Sequence, residues 1–198
     1  TVSAWCYFAV FALAKYPDIQ QKIHEDVMKH APTTGPITME RIEKMEYLYA
    51  FLMEALRVYP PIGLIVRLNR DEENFKGYRI PPHTTLYVPV YLLHRHPKYW
   101  DDPEAFRPER WLSPDSKDGQ KPPRQTGTRG YTFVPFNAGP RNCIGYQFAT
   151  METQMIVATL VRSLRVEIAP SQRDVEFSLT SMVTTKAKPA VEVVVKKR

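Results

Sequence analysis

The sequence predicts a mainly α-helical protein with small β-sheets, which places it in the α+β class. Residues 1–59 contain three stretches whose apolar side chains recur at helical spacing. Thirteen of the 18 prolines lie between positions 60 and 140, so this middle part cannot be mostly helical. A further helical stretch and two strand-like stretches follow Cys143.

The first helix is predicted over residues 1–16 and is stopped by Pro17, and an amphipathic helix follows over 18–30. Thr38 is a candidate cap for a short helix before the next long one. The helix predicted over 47–59 carries two charges on an otherwise apolar or aromatic surface, so we expect it to be buried.

The middle and end of the chain are predicted to combine strands with irregular backbone. Residues 103–140 are expected to be irregular, and a long helix is expected from about 143 to 162. The strands that we expect are residues 64–68, 78–80, 85–90, 164–168 and 190–195.

Composition narrows the classes of function. The net charge is +6, but the basic residues are scattered without a dense run of interleaved aromatics, which argues against a nucleic-acid partner. The longest apolar run, residues 4–14, is too short to span a bilayer. The chain begins at Thr1 inside a predicted helix and without Met, so we expect a longer parent protein that carries any membrane anchor.

The strongest chemical signal is a loop that contains Phe136, Gly139, Arg141, Cys143 and Gly145. A cysteine thiolate is a strong iron ligand in heme proteins, and the start of a helix stabilises its negative charge. The glycines allow a close approach of the backbone, the arginine can bind a heme propionate, and the phenylalanine can shield the sulfur from water. The simpler alternative is a turn with a buried free cysteine.

This loop resembles the cysteine-ligand loop of the cytochrome P450 superfamily. Glu54-x-x-Arg57 and the segment 106–111, which contains Arg110, resemble two further motifs of that family in the same order and spacing. The resemblance implies the C-terminal, heme-binding portion of one cytochrome P450 domain over residues 1–198, starting in the central oxygen-binding helix. The loop is most similar to eukaryotic, fungal-like microsomal members.

Glu54 and Arg57 are three positions apart on one helix, so their side chains can touch. A buried arginine has five donors, which one carboxylate cannot satisfy, so a further partner is needed. The resemblance supplies Arg110, together with backbone carbonyl groups. We expect this ion-pair cluster to be structural, without a catalytic role.

Two further site residues rest on spacing and resemblance. Arg67 lies ten positions before Gly77, which is the family's spacing for an arginine that binds a propionate. Thr1 lies sixteen positions before Pro17, where the family has a threonine that relays protons to bound dioxygen. The alternatives are an exposed strand arginine and a frayed terminal threonine.

His94 and His96 would share one face of a strand, but no third metal ligand is in view, so we expect structural roles. The resembling family commonly has Asp at the position of His96. Cys6, in an apolar helix, is expected to be a packed core thiol.

The resemblance implies a monooxygenase that inserts one oxygen atom of O2 into a lipophilic substrate, with heme as cofactor. Electrons would come from an NADPH-dependent flavoprotein reductase. The expected location is the cytosolic face of the endoplasmic reticulum membrane. The alternatives are a heme-thiolate isomerase or dehydratase, a peroxygenase, and a truncated chain without activity. The substrate pocket is expected to include residues 63–66 and the turn at Ser181-Met182.

Overall fold

The structure is a computed structural model that describes residues 1–31, 34–112, 131–181 and 184–198. Its described part is mainly helical with small two-stranded sheets, which confirms the predicted fold class. The helices are α1 (Val2–Lys15), α2 (Pro17–His30), α3 (Met39–Ile42), α4 (Glu46–Val58), α5 (Val90–Leu93) and α6 (Tyr146–Ser163). Short 3₁₀ turns occur at Pro108–Trp111 and Pro170–Gln172.

The strands form four antiparallel pairs among the described residues. Strand β1 pairs with β4, β2 with β3, β5 with β8, and β6 with β7. The strands are β1 (Ile65–Leu68), β2 (Glu73–Phe75), β3 (Tyr78–Ile80), β4 (Thr85–Val88), β5 (Leu164–Ile168), β6 (Ser178–Ser181), β7 (Thr185–Lys188) and β8 (Val193–Lys197).

Helix α4 lies in the centre of the core, and α1, α2 and α6 pack around it. Every residue of α4 from Leu48 to Val58 is buried, which confirms the burial that its apolar circumference predicts. The indole of Trp5 on α1 donates to the carbonyl oxygen of Leu52 at 3.3 Å and so ties α1 to α4.

Helix α2 is joined to strand β5 by one buried amide. The side chain of Gln20 donates to the carbonyl oxygens of Leu13 and Val166, at 2.7 and 2.8 Å, and accepts from the Val166 N–H at 2.9 Å. This exchange satisfies strand β5 on the side that β8 does not reach. The same amide therefore joins α1, α2 and β5 to one another.

The strand predicted over 85–90 is wrong at its end. It stops at Val88, and Pro89 precedes the one-turn helix α5 (Val90–Leu93). His94 and His96 therefore lie in the turn after a helix rather than on a strand. One helical turn is too short to produce a periodic pattern in the sequence.

The last strand is also shifted, to Val193–Lys197 instead of residues 190–195. Strands β2, β6 and β7 were not predicted, because each is only three or four residues long and contains a single apolar side chain. The β2–β3 turn places Lys76 and Gly77 at φ of 51° and 88°, the left-handed region that such tight hairpins use. In the segment expected to be irregular, residues 113–130 lie outside the described residues.

Candidate functional site

A cavity of about 610 Å³ lies where the N-terminal end of α1, strand β1, the loop 134–145 and the start of α6 meet. Its size is typical of cofactor and ligand sites. Among its lining residues are six of the residues that the sequence singles out: Thr1, Arg67, Phe136, Arg141, Cys143 and Gly145. Gly139, also singled out, does not line this cavity.

The loop before α6 is closed by its own backbone hydrogen bonds. The N–H of Cys143 donates to the carbonyl oxygen of Phe136 at 2.9 Å, and Asn142 N–H donates to Gly139 at 3.1 Å. Gly139 has φ of +80°, a conformation that residues with a Cβ rarely adopt. This glycine lets the chain reverse so that Cys143 returns next to Phe136.

The side chain of Cys143 is exposed at the cavity wall, and helix α6 begins three residues later at Tyr146. The first turn of α6 contains no acidic residue and no side-chain cap. Its N–H groups are therefore free to stabilise negative charge near the sulfur. A Cβ added at Gly145, the cap residue, would meet no protein atom within 4 Å.

Aromatic rings connect the cysteine loop to the core. The Phe136 ring lies edge-on to Trp5, with centroids 5.7 Å apart, and 6.1 Å from the ring of Tyr146. Phe136 is half-buried and follows Pro135 along the cavity wall. The helix α1 thus supports the loop from the same side as it presents Thr1.

Arg67 and Arg141 supply positive charge at the cavity. Both side chains are exposed, and neither forms an ion pair within the described part of the chain. One guanidinium nitrogen of Arg67 donates to the adjacent Val66 carbonyl oxygen at 2.9 Å, which leaves further donors for a ligand. Two such cations suit a cofactor with carboxylate groups.

Thr1 is exposed at the cavity and lies just before helix α1. Its carbonyl oxygen accepts from the N–H of Trp5 at 3.1 Å, so it is continuous with the helix. Val2 lines the same cavity.

Below the cavity, the C-terminal half of α4 carries the charged cluster, defined as Glu54, Arg57 and Arg110. The Glu54 carboxylate is fully buried and accepts from Arg57 at 2.8 and 2.9 Å and from the Arg110 Nε at 3.0 Å. It also accepts from the Arg107 backbone N–H at 2.8 Å and the Trp111 indole at 2.9 Å.

All five N–H donors of Arg57 are used. Besides Glu54, they reach the carbonyl oxygens of His94 at 3.1 Å, Pro103 at 2.6 Å and Ala105 at 2.8 Å. Arg110 likewise donates to the carbonyl oxygens of residues 101, 102 and 105. The charged cluster therefore fixes the segment 94–111 against α4.

The family model for Cytochrome P450 matches residues 1–193 of this sequence. The chain belongs to the cytochrome P450 family. It is 37% identical to Cytochrome P450 3A19 of Capra hircus aegagrus over 82% of the chain and 71% of that protein. It is 33% identical to Cytochrome P450 4V2 of Mus musculus over 100% of the chain and 36% of that protein.

A third relative, named Lithocholate 6-beta-hydroxylase, from Mesocricetus auratus, is 35% identical over 80% of the chain and 30% of that protein. The chain thus spans about a third of the length of the second and third relatives. All three relatives are mammalian, and the likeness to fungal members stays a prediction.

Heme is the cofactor of the cytochrome P450 family, and the cavity fits it. The thiol of Cys143 is accessible from an apolar cavity, and Gly145 leaves open space beside that cavity. Two arginines that have no carboxylate partner in the described part of the chain line the same cavity. These are the donors that a thiolate-ligated heme with two propionates requires. Among the described residues there is no cluster of His, Cys, Asp and Glu suited to a separate metal ion.

The other predicted residues are divided between this cytochrome P450 cavity and the rest of the structure. Cys6 is half-buried on α1, where its sulfur contacts the Thr153 hydroxyl at 3.8 Å, and burial raises the pKa of its thiol. In residues 63–66, Ile65 and Val66 line the cavity, whereas Gly63 packs near Tyr91 and Thr185. Met182 lies outside the described residues.

The bond from the Trp111 indole, which completes the bonding of Glu54, was not predicted from the sequence. The position of Trp111 next to Arg110 was a usable signal, because a buried indole N–H needs an acceptor.

Within the described residues, no helix combines the length and the apolar character that crossing a membrane requires.

Proposed function

We propose that this chain forms the C-terminal, heme-binding portion of a monooxygenase, in which the Cys143 thiolate would ligate the heme iron. The observation that carries the proposal is the exposed Cys143 thiol in a cavity that it shares with Arg67 and Arg141. Residues 1–198 belong to one cytochrome P450 domain in this account.

Each cavity residue has a distinct role in the proposal. The backbone N–H groups at the start of α6 stabilise the Cys143 thiolate, and Phe136 limits the access of water to it. Arg67 and Arg141 would hold the two propionates of the heme. Gly145 would leave space for the ring beside the loop, and Gly139 lets the loop reverse so that Cys143 faces the cavity.

Bound heme supplies the activation of O2, from which one oxygen atom enters a C–H bond of the substrate while the other leaves as water. Thr1 holds a hydroxyl at the same cavity and delivers protons there. The charged cluster touches none of these groups, and its role is to hold the backbone below the loop.

The substrate class is a small lipophilic compound. The cavity wall between the cysteine loop and β1 is built from side chains such as Ile62, Ile65, Val66 and Val134, which favour apolar ligands. One relative is named for hydroxylating lithocholate, which is consistent with this class. The electron donor is an NADPH-dependent flavoprotein reductase, and the protein acts at the cytosolic face of the endoplasmic reticulum membrane.

The test is turnover of the complete protein with reductase, NADPH and isotope-labelled dioxygen, using lithocholate, a medium-chain fatty acid and a terpene as probes. We expect one labelled oxygen atom in the product and a requirement for both NADPH and reductase. Product that forms only when hydrogen peroxide replaces NADPH and the reductase would assign a peroxygenase instead. Conversion without NADPH and without label would assign an isomerase or dehydratase.

A further inference from the structure

His94 is a buried histidine that the proposed function leaves without a role. It ends helix α5, where its N–H donates to the carbonyl oxygen of Val90 at 2.9 Å. The imidazole is fully buried and lies against Phe133, with ring centroids 4.8 Å apart. Burying a polar ring requires a compensating hydrogen bond, so the partner of this ring is informative.

The partner is the loop that carries the cysteine. The backbone N–H of Val134 donates to Nε2 of His94 at 3.0 Å, across 40 positions of sequence. Nε2 must therefore be unprotonated, which puts the single ring proton of the neutral imidazole on Nδ1. Burial, followed by the charge of Arg57, lowers the pKa of His94 to about 3, so the ring stays neutral at physiological pH.

Val134 begins the bonded part of the cysteine loop. Its carbonyl oxygen accepts from Asn137 N–H at 3.1 Å, and Phe136, two residues after Val134, accepts from Cys143 N–H at 2.9 Å. Val134 is buried and lines the cavity. Because these backbone groups are hydrogen-bonded within one short loop, a shift of the Val134 backbone would also move Phe136 and Cys143.

On its other side, His94 belongs to the charged cluster's bonding network. Its carbonyl oxygen accepts from Arg57 Nη1 at 3.1 Å, while Arg57 is held by Glu54. His94 thus has one bond to the rigid cluster through its main chain and one to the cysteine loop through its side chain. Its buried side chain therefore connects these two parts of the structure.

We propose that His94 is a positioning residue for Cys143: its unprotonated Nε2 holds Val134 and so sets the cysteine loop in register with the charged cluster. The inference rests on the proposed function, because it concerns the placement of the thiolate that binds heme. A purely packing role would need the shape of the ring but not its acceptor nitrogen, and this difference can be tested.

The test compares His94→Phe, which keeps a ring against Phe133 but has no acceptor, with His94→Gln, whose amide oxygen can accept from Val134. His96→Phe is the matched control, because His96 is exposed in the same turn and bonds to Lys98 rather than to the loop. In the complete protein, heme content, reduction potential and the absorption spectrum of the reduced, CO-bound form are measured.

In heme-loaded His94→Phe, we expect the ratio of thiolate-type to non-thiolate spectrum to fall by a factor of roughly 5 to 30, as for the loss of a buried hydrogen bond. His94→Gln and His96→Phe should keep the wild-type ratio and reduction potential. Equal spectra for His94→Phe and His94→Gln, with a normal wild-type spectrum, would overturn the inference and leave the proposed function intact. A wild-type protein without the thiolate spectrum would instead reject the proposed function.

If His94→Phe does not fold, nitrogen NMR of the wild-type, reduced, CO-bound protein decides the question. We expect an imidazole that stays neutral between pH 5 and 9, with its proton on Nδ1. A proton on Nε2 would contradict the inference, because Val134 N–H would then have no acceptor on His94.

Discussion

The charged cluster and the cysteine loop lie on either side of His94 and differ in how far this chain completes them. In the cluster, the Glu54 carboxylate and all five donors of Arg57 are bonded and buried. In the loop, Cys143 and Ile144 are exposed. The charged cluster thus finds its bonding partners within this chain, whereas the cysteine loop exposes groups that a bound cofactor would cover.

The largest effect on stability is expected at the charged cluster. Glu54→Ala leaves Arg57 and Arg110 buried without their carboxylate, which costs about 3–5 kcal/mol of folding free energy. That is a large share of the stability of a typical domain. We expect little folded, heme-loaded protein, measured as yield and as the midpoint of denaturant unfolding.

Glu40→Ala is the matched control for Glu54→Ala. Glu40 also pairs with a basic residue a few positions further along the chain, Lys44 at 2.9 Å, but both side chains are exposed. Its removal should leave the unfolding midpoint unchanged. A Glu54→Ala protein with normal heme content and a normal midpoint would show that the cluster does not support the site.

A smaller effect is expected at the connection between the two regions. The folded pKa of His94, about 3, lies below its ordinary value of 6.5, so the unfolded chain takes up a proton first as the pH falls. The contribution to stability is complete above pH 6.5 and is lost progressively toward pH 3. Between pH 7 and 5.5 the loss is about 1 kcal/mol.

Denaturant unfolding of the wild type and of His94→Gln at these two pH values measures this contribution. The difference in pH dependence between the two proteins should equal the expected loss. Identical pH dependence would mean that His94 has the same pKa in the folded and unfolded states, so that its ring is not buried as in this structure.

At the cavity that the cysteine loop lines, Thr1 should affect how electrons are used and should not affect stability. In the complete protein, Thr1→Ala should keep heme content and substrate affinity while the product formed per NADPH falls, with hydrogen peroxide accounting for the difference. Ser3→Ala is the control, because Ser3 is exposed outside the cavity lining, whereas Val2 lines it. Unchanged product yield in Thr1→Ala would remove Thr1 from the proton path.

The two regions also differ in what the sequence predicts. The cysteine loop is a local motif, so its residues can be found in one short segment without knowledge of the fold. Arg110 is 56 positions from Glu54, and its assignment came from family resemblance, since no local pattern connects the two. The bond from Val134 to His94 was missed because it depends on how two irregular segments pack.

For the fold, the long helices were predicted because apolar periodicity over several turns is a strong signal. Helix α5 is one turn long, and strand β2 is exposed on both faces, so neither leaves such a pattern. The buried helix α4 was predictable for the opposite reason, since its apolar residues surround the whole circumference.

The most direct test of the account is the absorption spectrum of the reduced, CO-bound complete protein, because it reports the iron ligand itself. We expect the red-shifted Soret band of thiolate ligation in the wild type and in Cys6→Ala, and its complete loss in Cys143→Ala. Cys6 is the appropriate control because it is the other of the chain's two cysteines and is half-buried on α1. A thiolate band that persists in Cys143→Ala would contradict the account.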